Sequence, residues 1–134
     1  GDGNCFFRAV AQGEVATVHS RRSIAEEDAR SKELRALTVR HLAMNRKELH
    51  WRVEEEWFAY LARMQLLGEW AGEPELFVLA KALQRPIEVY MFTPELTKIE
   101  TYGEEERNQE PIRVLFHSYG HYSCLIEAED EIVI

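Results

Sequence analysis

The sequence predicts an α+β fold in which helices come first and a small, mainly antiparallel sheet follows. Apolar residues recur at helical spacing up to Leu83, whereas short apolar runs separated by turn residues follow Pro86. Helices and strands that are segregated along a chain are typical of α+β domains. With 134 residues, 46% of them hydrophobic and 30% charged, the chain fits one domain, 1–134, with a substantial core.

The first helix is predicted to begin at Cys5. A polar stretch, residues 2–4, is followed at once by Cys5 and an apolar run. The N–H groups and positive dipole end of a helix stabilise an anion, so a thiol placed there loses its proton more easily and becomes a nucleophile. Gly3 allows the turn to aim N–H groups at a developing oxyanion. The alternative is a small, buried and inert cysteine, the commoner fate of a free cysteine.

Three more helical segments are predicted before the strands. Ser23 and Glu26 have the spacing of a capping box, so a helix begins near Ile24, and Asn45 interrupts it. Pro74 suits the first turn of the last helix, which stops before Pro86. The stretch 54–67 has the clearest amphipathic pattern, with an apolar face formed by Trp57, Phe58, Leu61 and Met64.

Strands are predicted over 87–92, 98–102, 112–116, 121–127 and 131–134. The first is apolar on both faces, which is typical of a central strand, and 98–102 is expected at an edge. The acidic stretch 103–110 is predicted to be a loop.

Charge and cysteine content narrow the classes of partner. The net charge of −8 argues against a protein that wraps duplex nucleic acid, and no apolar stretch is as long as a membrane span. Two cysteines are too few for a disulfide scaffold and suit a reducing compartment. We therefore expect an intracellular monomer, cytoplasmic or nuclear, without nucleic-acid or membrane binding. No signal peptide is visible, although the sequence leaves open whether further residues precede Gly1.

A nucleophilic Cys5 needs a base within reach. Among the five histidines, His117 and His121 flank a tight turn between two predicted strands. Strand alternation places His121 and Ser123 on one face and Cys124 on the other, where we expect a packed core cysteine. From the residues alone, a base and a turn histidine with satisfied hydrogen bonds are equally good interpretations of His121. Metal binding is disfavoured because no CxxC or HExxH spacing is present, and no cofactor or metal is expected.

Four blocks of sequence, in order, resemble the ovarian-tumour (OTU) family of cysteine proteases. They are Asp2-Gly3-Asn4-Cys5-Phe6-Phe7-Arg8, Trp70-Ala71-Gly72-Glu73-Pro74-Glu75-Leu76, Ile87-Glu88-Val89-Tyr90 and His121-Tyr122. The resemblance covers nearly the whole chain and implies a papain-like deubiquitinase fold. It implies a thiol-dependent isopeptidase that removes ubiquitin from lysine side chains or cleaves polyubiquitin. The alternatives are a catalytically inactive ubiquitin-binding module and a protease for a ubiquitin-like modifier.

The resemblance also implies roles for individual residues. Cys5 is the nucleophile, His121 is the general base, and the backbone N–H groups of Gly3, Asn4 and Cys5 form the oxyanion hole. The family orients its histidine with an acid three residues before the cysteine, here Asp2, or with Asn or Asp two residues after the histidine. The second position is Ser123 in this sequence. A hydroxyl carries no charge to stabilise an imidazolium, so we expect Asp2 to orient His121, with Ser123 as an auxiliary.

By the same resemblance, Trp70, Ala71, Gly72 and Glu73 bind the ubiquitin tail, although the family often has glycine at the position of Ala71. Small residues there would admit the Gly-Gly end and exclude larger residues. Glu73 and the acids of 104–106 are candidates to meet basic residues of the tail, and solvated surface charge is the alternative. The family uses a helical arm to hold the distal ubiquitin, and residues 14–30 occupy that place.

Overall fold

The computed structural model describes residues 3–17, 19–53, 55–106, 109–117, 120–128 and 131–133. The helices are α1 (Cys5–Gly13), α2 (Ile24–Met44), α3 (Arg46–Leu49), a 3-10 turn (His50–Arg52), α4 (Trp57–Met64) and α5 (Glu73–Leu83). The strands are β1 (Ile87–Phe92), β2 (Leu96–Tyr102), β3 (Ile112–Phe116), β4 (Tyr122–Ala128) and β5 (Glu131–Val133). Among the described helices, none combines the length and apolar character that crossing a bilayer requires.

The described strands form one mixed sheet in the order β2-β1-β3-β4-β5. Only β1 and β3 pair in parallel, and the other neighbours are antiparallel. The predicted α+β class with a mainly antiparallel sheet is therefore confirmed. As predicted, the strand that is apolar on both faces lies inside the sheet, because β1 pairs with β2 on one side and β3 on the other.

Helix α1 is the centre of the main core. It contacts α2 on one side and strands β3 and β4 on the other, so its apolar run is buried almost all round. The ring of Phe6 packs edge-on against Phe7 at 5.3 Å and against Tyr122 at 5.1 Å between centroids. This packing holds the N-terminus of α1 against the start of β4, where His121 lies.

The capping box predicted at the start of α2 is present. The Glu26 N–H donates to Ser23 Oγ at 3.2 Å, and the Ser23 N–H donates to Glu26 Oε1 at 3.0 Å. The helix then runs unbroken to Met44, with Asn45 as its C-cap. Residues 14–30 form no separate helical arm, since 14–23 is a loop as far as it is described and 24–30 belongs to α2.

The prediction for α4 was wrong in length and wrong for one residue of its buried face, Phe58, whereas Leu61 packs against the core as predicted. The helix covers only Trp57–Met64, and Phe58 is 63% exposed, whereas Trp57, Tyr60 and Met64 are buried. The helix is short because the Glu56 carboxylate is its N-cap and accepts from the N–H groups of Phe58 and Ala59 at 3.1 and 3.0 Å. Glu54, placed in this helix from the sequence, lies outside the described residues.

Candidate active site

The Cys5 thiol lies at the N-terminus of α1, as predicted. Cys5 is the first residue of the helix and is 6% exposed. Asn4 precedes it with φ −83° and ψ −6°, and its carbonyl accepts the first helical hydrogen bond, from the Arg8 N–H at 3.0 Å. Cys5 therefore lies at the positive end of the helix dipole, the end at which a helix stabilises an anion.

The turn between β3 and β4 brings His121 to Cys5. Cys5 Sγ lies 3.6 Å from the carbonyl oxygen of Gly120, the residue directly before His121. The His117 N–H donates to the His121 carbonyl at 2.7 Å and closes the turn. Cys5 and the exposed His121 line one cleft of about 420 Å³, here called the Cys5 cleft, together with Arg8, Gln12, Glu27 and Ser123. A thiol and an imidazole in one open cleft can act as nucleophile and base.

The segment that contains Trp70 adjoins this site. Gly120 has φ +78°, a conformation that favours glycine, and a Cβ there would stand 3.5 Å from the Trp70 ring. Trp70 therefore packs against the turn that carries His121. It also lines a second cleft of about 450 Å³, here called the Trp70 cleft, whose walls include Tyr60, Arg63, Ala71, Gly72 and Glu75. Three of the four predicted tail-binding residues thus meet beside the Cys5 cleft.

The fourth, Glu73, is the first residue of α5 and points its carboxylate toward Tyr102, whose pKa is raised by burial and by that charge. The acids of 104–106 lie in a turn after β2, where the Glu106 N–H donates to the Gly103 carbonyl at 2.9 Å. In the described part of the chain, no three His, Cys, Asp or Glu side chains form a group that could hold a metal ion.

Ser123 contacts His117, the other histidine of this turn, rather than His121 in the structure. Its hydroxyl lies 2.9 Å from His117 Nε2, and the His117 and His121 rings are 5.4 Å apart between centroids. Asp2, the other candidate for orienting His121, lies outside the described residues.

Cys124 is not the packed core residue that strand alternation predicted. It is half-buried and lines the Cys5 cleft beside Arg21 and Glu27. Cys124 is only half-buried because β4 lies near the edge of the sheet, where its face toward α1 opens into the cleft. Burial raises the pKa of the Cys124 thiol to about 11. Near pH 7 this second thiol is therefore protonated and a poor nucleophile.

Comparison with known proteins decides the family. A model of the family described as "OTU-like cysteine protease" matches residues 1–122. The chain belongs to the OTU family of cysteine proteases. It is 37% identical to OVARIAN TUMOR DOMAIN-containing deubiquitinating enzyme 4 of Arabidopsis thaliana over 98% of this chain and 43% of that protein. The chain thus spans less than half the length of this relative.

Solved structures support the fold. The OTU domain of OTUD1 superposes with a TM-score of 0.74 at 26% identity, over 92% of this chain and 79% of that one. An OTU domain in complex with ubiquitin gives a TM-score of 0.67 at 21% identity, over 92% of this chain and 63% of that one.

Sequence reasoning missed Arg35, a buried cation behind the loop that precedes Cys5. Arg35 is 2% exposed, and its guanidinium lies over the Phe7 ring at 4.6 Å. A signal was present, because Arg35 falls among the buried positions of α2, which are Ser31, Leu34, Thr38 and Leu42. An arginine on the apolar face of a helix needs internal acceptors.

A buried carboxyl, Glu75, supports the Trp70 cleft from inside. Glu75 is 3% exposed, accepts from the Gly72 N–H at 2.6 Å, and receives a hydrogen bond from the Tyr60 hydroxyl. Burial raises the pKa of Glu75 and outweighs these hydrogen bonds, which lower it. The Glu75 carboxyl therefore holds the start of α5 in place. Its ionisation inside the protein lowers the free energy of unfolding.

The substitution Glu75→Gln is expected to flatten the pH dependence of stability. The pKa of Glu75 in the folded protein lies above the ordinary 4.5. Its contribution to the free energy of unfolding is therefore full below pH 4.5 and is lost as pH rises through the folded pKa. Glutamine does not ionise, so the free energy of unfolding of the variant should gain on the wild type as pH rises. Urea unfolding at a series of pH values measures this. If the free energies of unfolding of variant and wild type changed in parallel with pH, the prediction would be contradicted. The control is Glu95→Gln, at an exposed position.

Proposed function

We propose that residues 1–134 form a single catalytic domain that removes ubiquitin from lysine side chains and cleaves polyubiquitin through an acyl-enzyme on Cys5. The observation that carries the proposal is the meeting of Cys5 Sγ with the Gly120 carbonyl, across 115 positions of sequence, in the cleft that His121 also lines. Two comparisons support the choice of substrate: the Arabidopsis relative is named a deubiquitinating enzyme, and one structural neighbour is bound to ubiquitin.

The proposed reaction has two stages. The Cys5 thiolate attacks the carbonyl carbon of the C-terminal glycine of ubiquitin, and the carbonyl electron pair moves to oxygen. Backbone N–H groups of Gly3, Asn4 and Cys5 stabilise that oxyanion. The oxyanion collapses, the C–N bond breaks, and protonated His121 gives its proton to the lysine amine. Water, deprotonated by His121, then hydrolyses the thioester and frees Cys5.

The Trp70 cleft is proposed to admit the Gly-Gly end of the modifier. Ala71 contributes only a methyl group to its wall and Gly72 only backbone, and Trp70 joins the cleft to the turn that carries His121. A slot that fits only glycine would exclude a larger penultimate residue. Glu73 is the proposed acidic contact for the basic tail. Ubiquitin is the proposed partner of a monomeric domain that acts inside the cell, without a cofactor, nucleic acid or membrane.

Asp2 is proposed to orient His121, with Ser123 as an auxiliary. The Ser123 hydroxyl is already within hydrogen-bond distance of His117 Nε2, which supports the acid as the main partner. We expect Asp2→Ala to lower kcat by about 10²–10⁴-fold and Ser123→Ala by less than about ten-fold, since only the acid stabilises the imidazolium. Release of a fluorophore from the ubiquitin C-terminus measures both. The reverse ranking would assign the orienting role to Ser123.

Cleavage of a panel of differently linked di-ubiquitins tests the proposed function, with Cys5→Ser as the inactive control. We expect at least one linkage to be cleaved by the wild type and none by the variant. Binding of ubiquitin without turnover of any substrate, unchanged in Cys5→Ala, would instead indicate an inactive binding module. Turnover confined to another modifier with a Gly-Gly end would replace ubiquitin as the substrate.

A further inference from the structure

We infer that Arg35 is a positioning residue that sets the orientation of the oxyanion hole. Its guanidinium fixes the peptide unit whose N–H belongs to Asn4. This inference rests on the proposed function, because it assigns a part in the same reaction to a residue that does not touch the substrate.

Arg35 connects the loop before Cys5 to the loop before Trp70. Its Nη2 donates to the Gly3 carbonyl at 3.3 Å and to Asn4 Oδ1 at 2.9 Å. The same group donates to the Glu69 carbonyl at 2.6 Å, while Nη1 donates to the Met64 carbonyl at 3.1 Å. One buried side chain therefore holds both loops that border the proposed reaction centre.

The hydrogen bond to the Gly3 carbonyl determines where the Asn4 N–H points. In a planar trans peptide, the C=O and the N–H of one unit point in opposite directions. The Gly3 oxygen faces the Arg35 guanidinium, so the N–H of Asn4 in the same unit is directed away from Arg35.

The next peptide unit is fixed independently by α1. The Asn4 carbonyl accepts from the Arg8 N–H at 3.0 Å, which directs the Cys5 N–H toward the helix N-terminus. Asn4 itself has nearly helical angles, φ −83° and ψ −6°, so its N–H and that of Cys5 point the same way. Arg35 and Arg8 thus align two successive donors, one through a side chain and one through the helix.

Arg35 prevents rotation of the Gly3–Asn4 peptide. Asn4 makes no side-chain cap to α1, and its Oδ1 instead accepts from Arg35 and from the Gly68 N–H at 2.9 Å. Lysine at position 35 keeps the charge but lacks the planar fork that reaches several acceptors at once. We therefore expect Arg35→Lys to fold, yet to misdirect the Asn4 N–H.

Two ubiquitin probes that differ in their need for an oxyanion hole test this inference. A C-terminal aldehyde adds to Cys5 and places the former carbonyl electron pair on oxygen, whereas a C-terminal bromoalkyl group is attacked by Cys5 with loss of bromide and forms no oxyanion. For Arg35→Lys we expect the rate of aldehyde addition to fall by about 10²-fold, the value typical of one lost donor, and bromide displacement to change less than about three-fold. The kcat on a ubiquitin substrate should fall with the aldehyde rate, and KM should stay nearly constant.

The ratio of the two rates in one sample is independent of the folded fraction, so partial unfolding does not imitate the effect. Arg85→Lys is the matched control, because Arg85 also donates to loop carbonyls, those of Glu110 at 2.6 Å and Glu14 at 3.0 Å, away from Cys5. An equal fall of both rates in Arg35→Lys, or no fall, would overturn the positioning role. A wild-type domain that reacts with neither probe would overturn the proposed function and this inference with it.

Discussion

Replacing His121 with alanine is expected to lower kcat by about 10⁴–10⁶-fold, the range found when a base that acts as a unit with its nucleophile is removed. The reason is that in the proposed reaction the imidazole serves twice, first to accept the Cys5 proton and then to donate it to the leaving amine. Release of a fluorophore from the ubiquitin C-terminus measures kcat. The KM of ubiquitin should change little, since His121 makes no proposed contact with the folded body of the substrate.

His117→Ala is the matched control for this prediction. The two rings lie 5.4 Å apart, yet only His121 lines the Cys5 cleft. We expect the His117 variant to retain most of its activity, with a loss comparable to that of Ser123→Ala, its hydrogen-bond partner. If His117→Ala is the more damaging substitution, the base has been assigned to the wrong side of the turn.

Substituting Gly3 with alanine is expected to damage both stability and activity. A Cβ at Gly3 would lie 1.9 Å from the Gly68 carbonyl oxygen and 2.3 Å from the Glu69 carbonyl carbon. Both contacts are to backbone, and Arg35 holds the two loops together, so neither can move away easily. We expect the free energy of unfolding to fall by about 1–3 kcal/mol or more, the usual cost of overpacking, and kcat to fall with it.

Gly72→Ala serves as the control for stability. The nearest atom to its added Cβ would be Glu75 Oε1 at 3.6 Å, an ordinary van der Waals distance. Urea unfolding of the two variants should therefore show a large loss for Gly3→Ala and a small one for Gly72→Ala. Equal stability of both variants would mean that the two loops do not approach as closely as described.

Local signals made much of this fold predictable. The Ser23–Glu26 capping box marked the start of α2 because both partners lie within one turn of helix. The apolar run after Cys5 marked α1 as buried, and the turn before His121 marked the start of β4. Each of these features depends on residues close together in sequence.

The features that sequence reasoning missed depend on distant residues. Phe58 was assigned to the buried face of α4 because it is hydrophobic, but its ring is exposed and lies 5.0 Å from the guanidinium of Arg46 in α3. The acceptors of Arg35 include carbonyls about thirty positions away in both directions along the chain, and no periodic sequence pattern predicts such contacts. The contact of Ser123 with His117 likewise needed the geometry of the turn.

The most direct test of the central claim is the mass of the domain after incubation with ubiquitin carrying a C-terminal electrophile, followed by peptide mapping. We expect a single covalent adduct on Cys5, lost in Cys5→Ser and retained in Cys124→Ser, because burial keeps the Cys124 thiol protonated with a pKa of about 11. An adduct on Cys124, or a folded domain that stays unmodified, would contradict the assignment of Cys5 as the nucleophile.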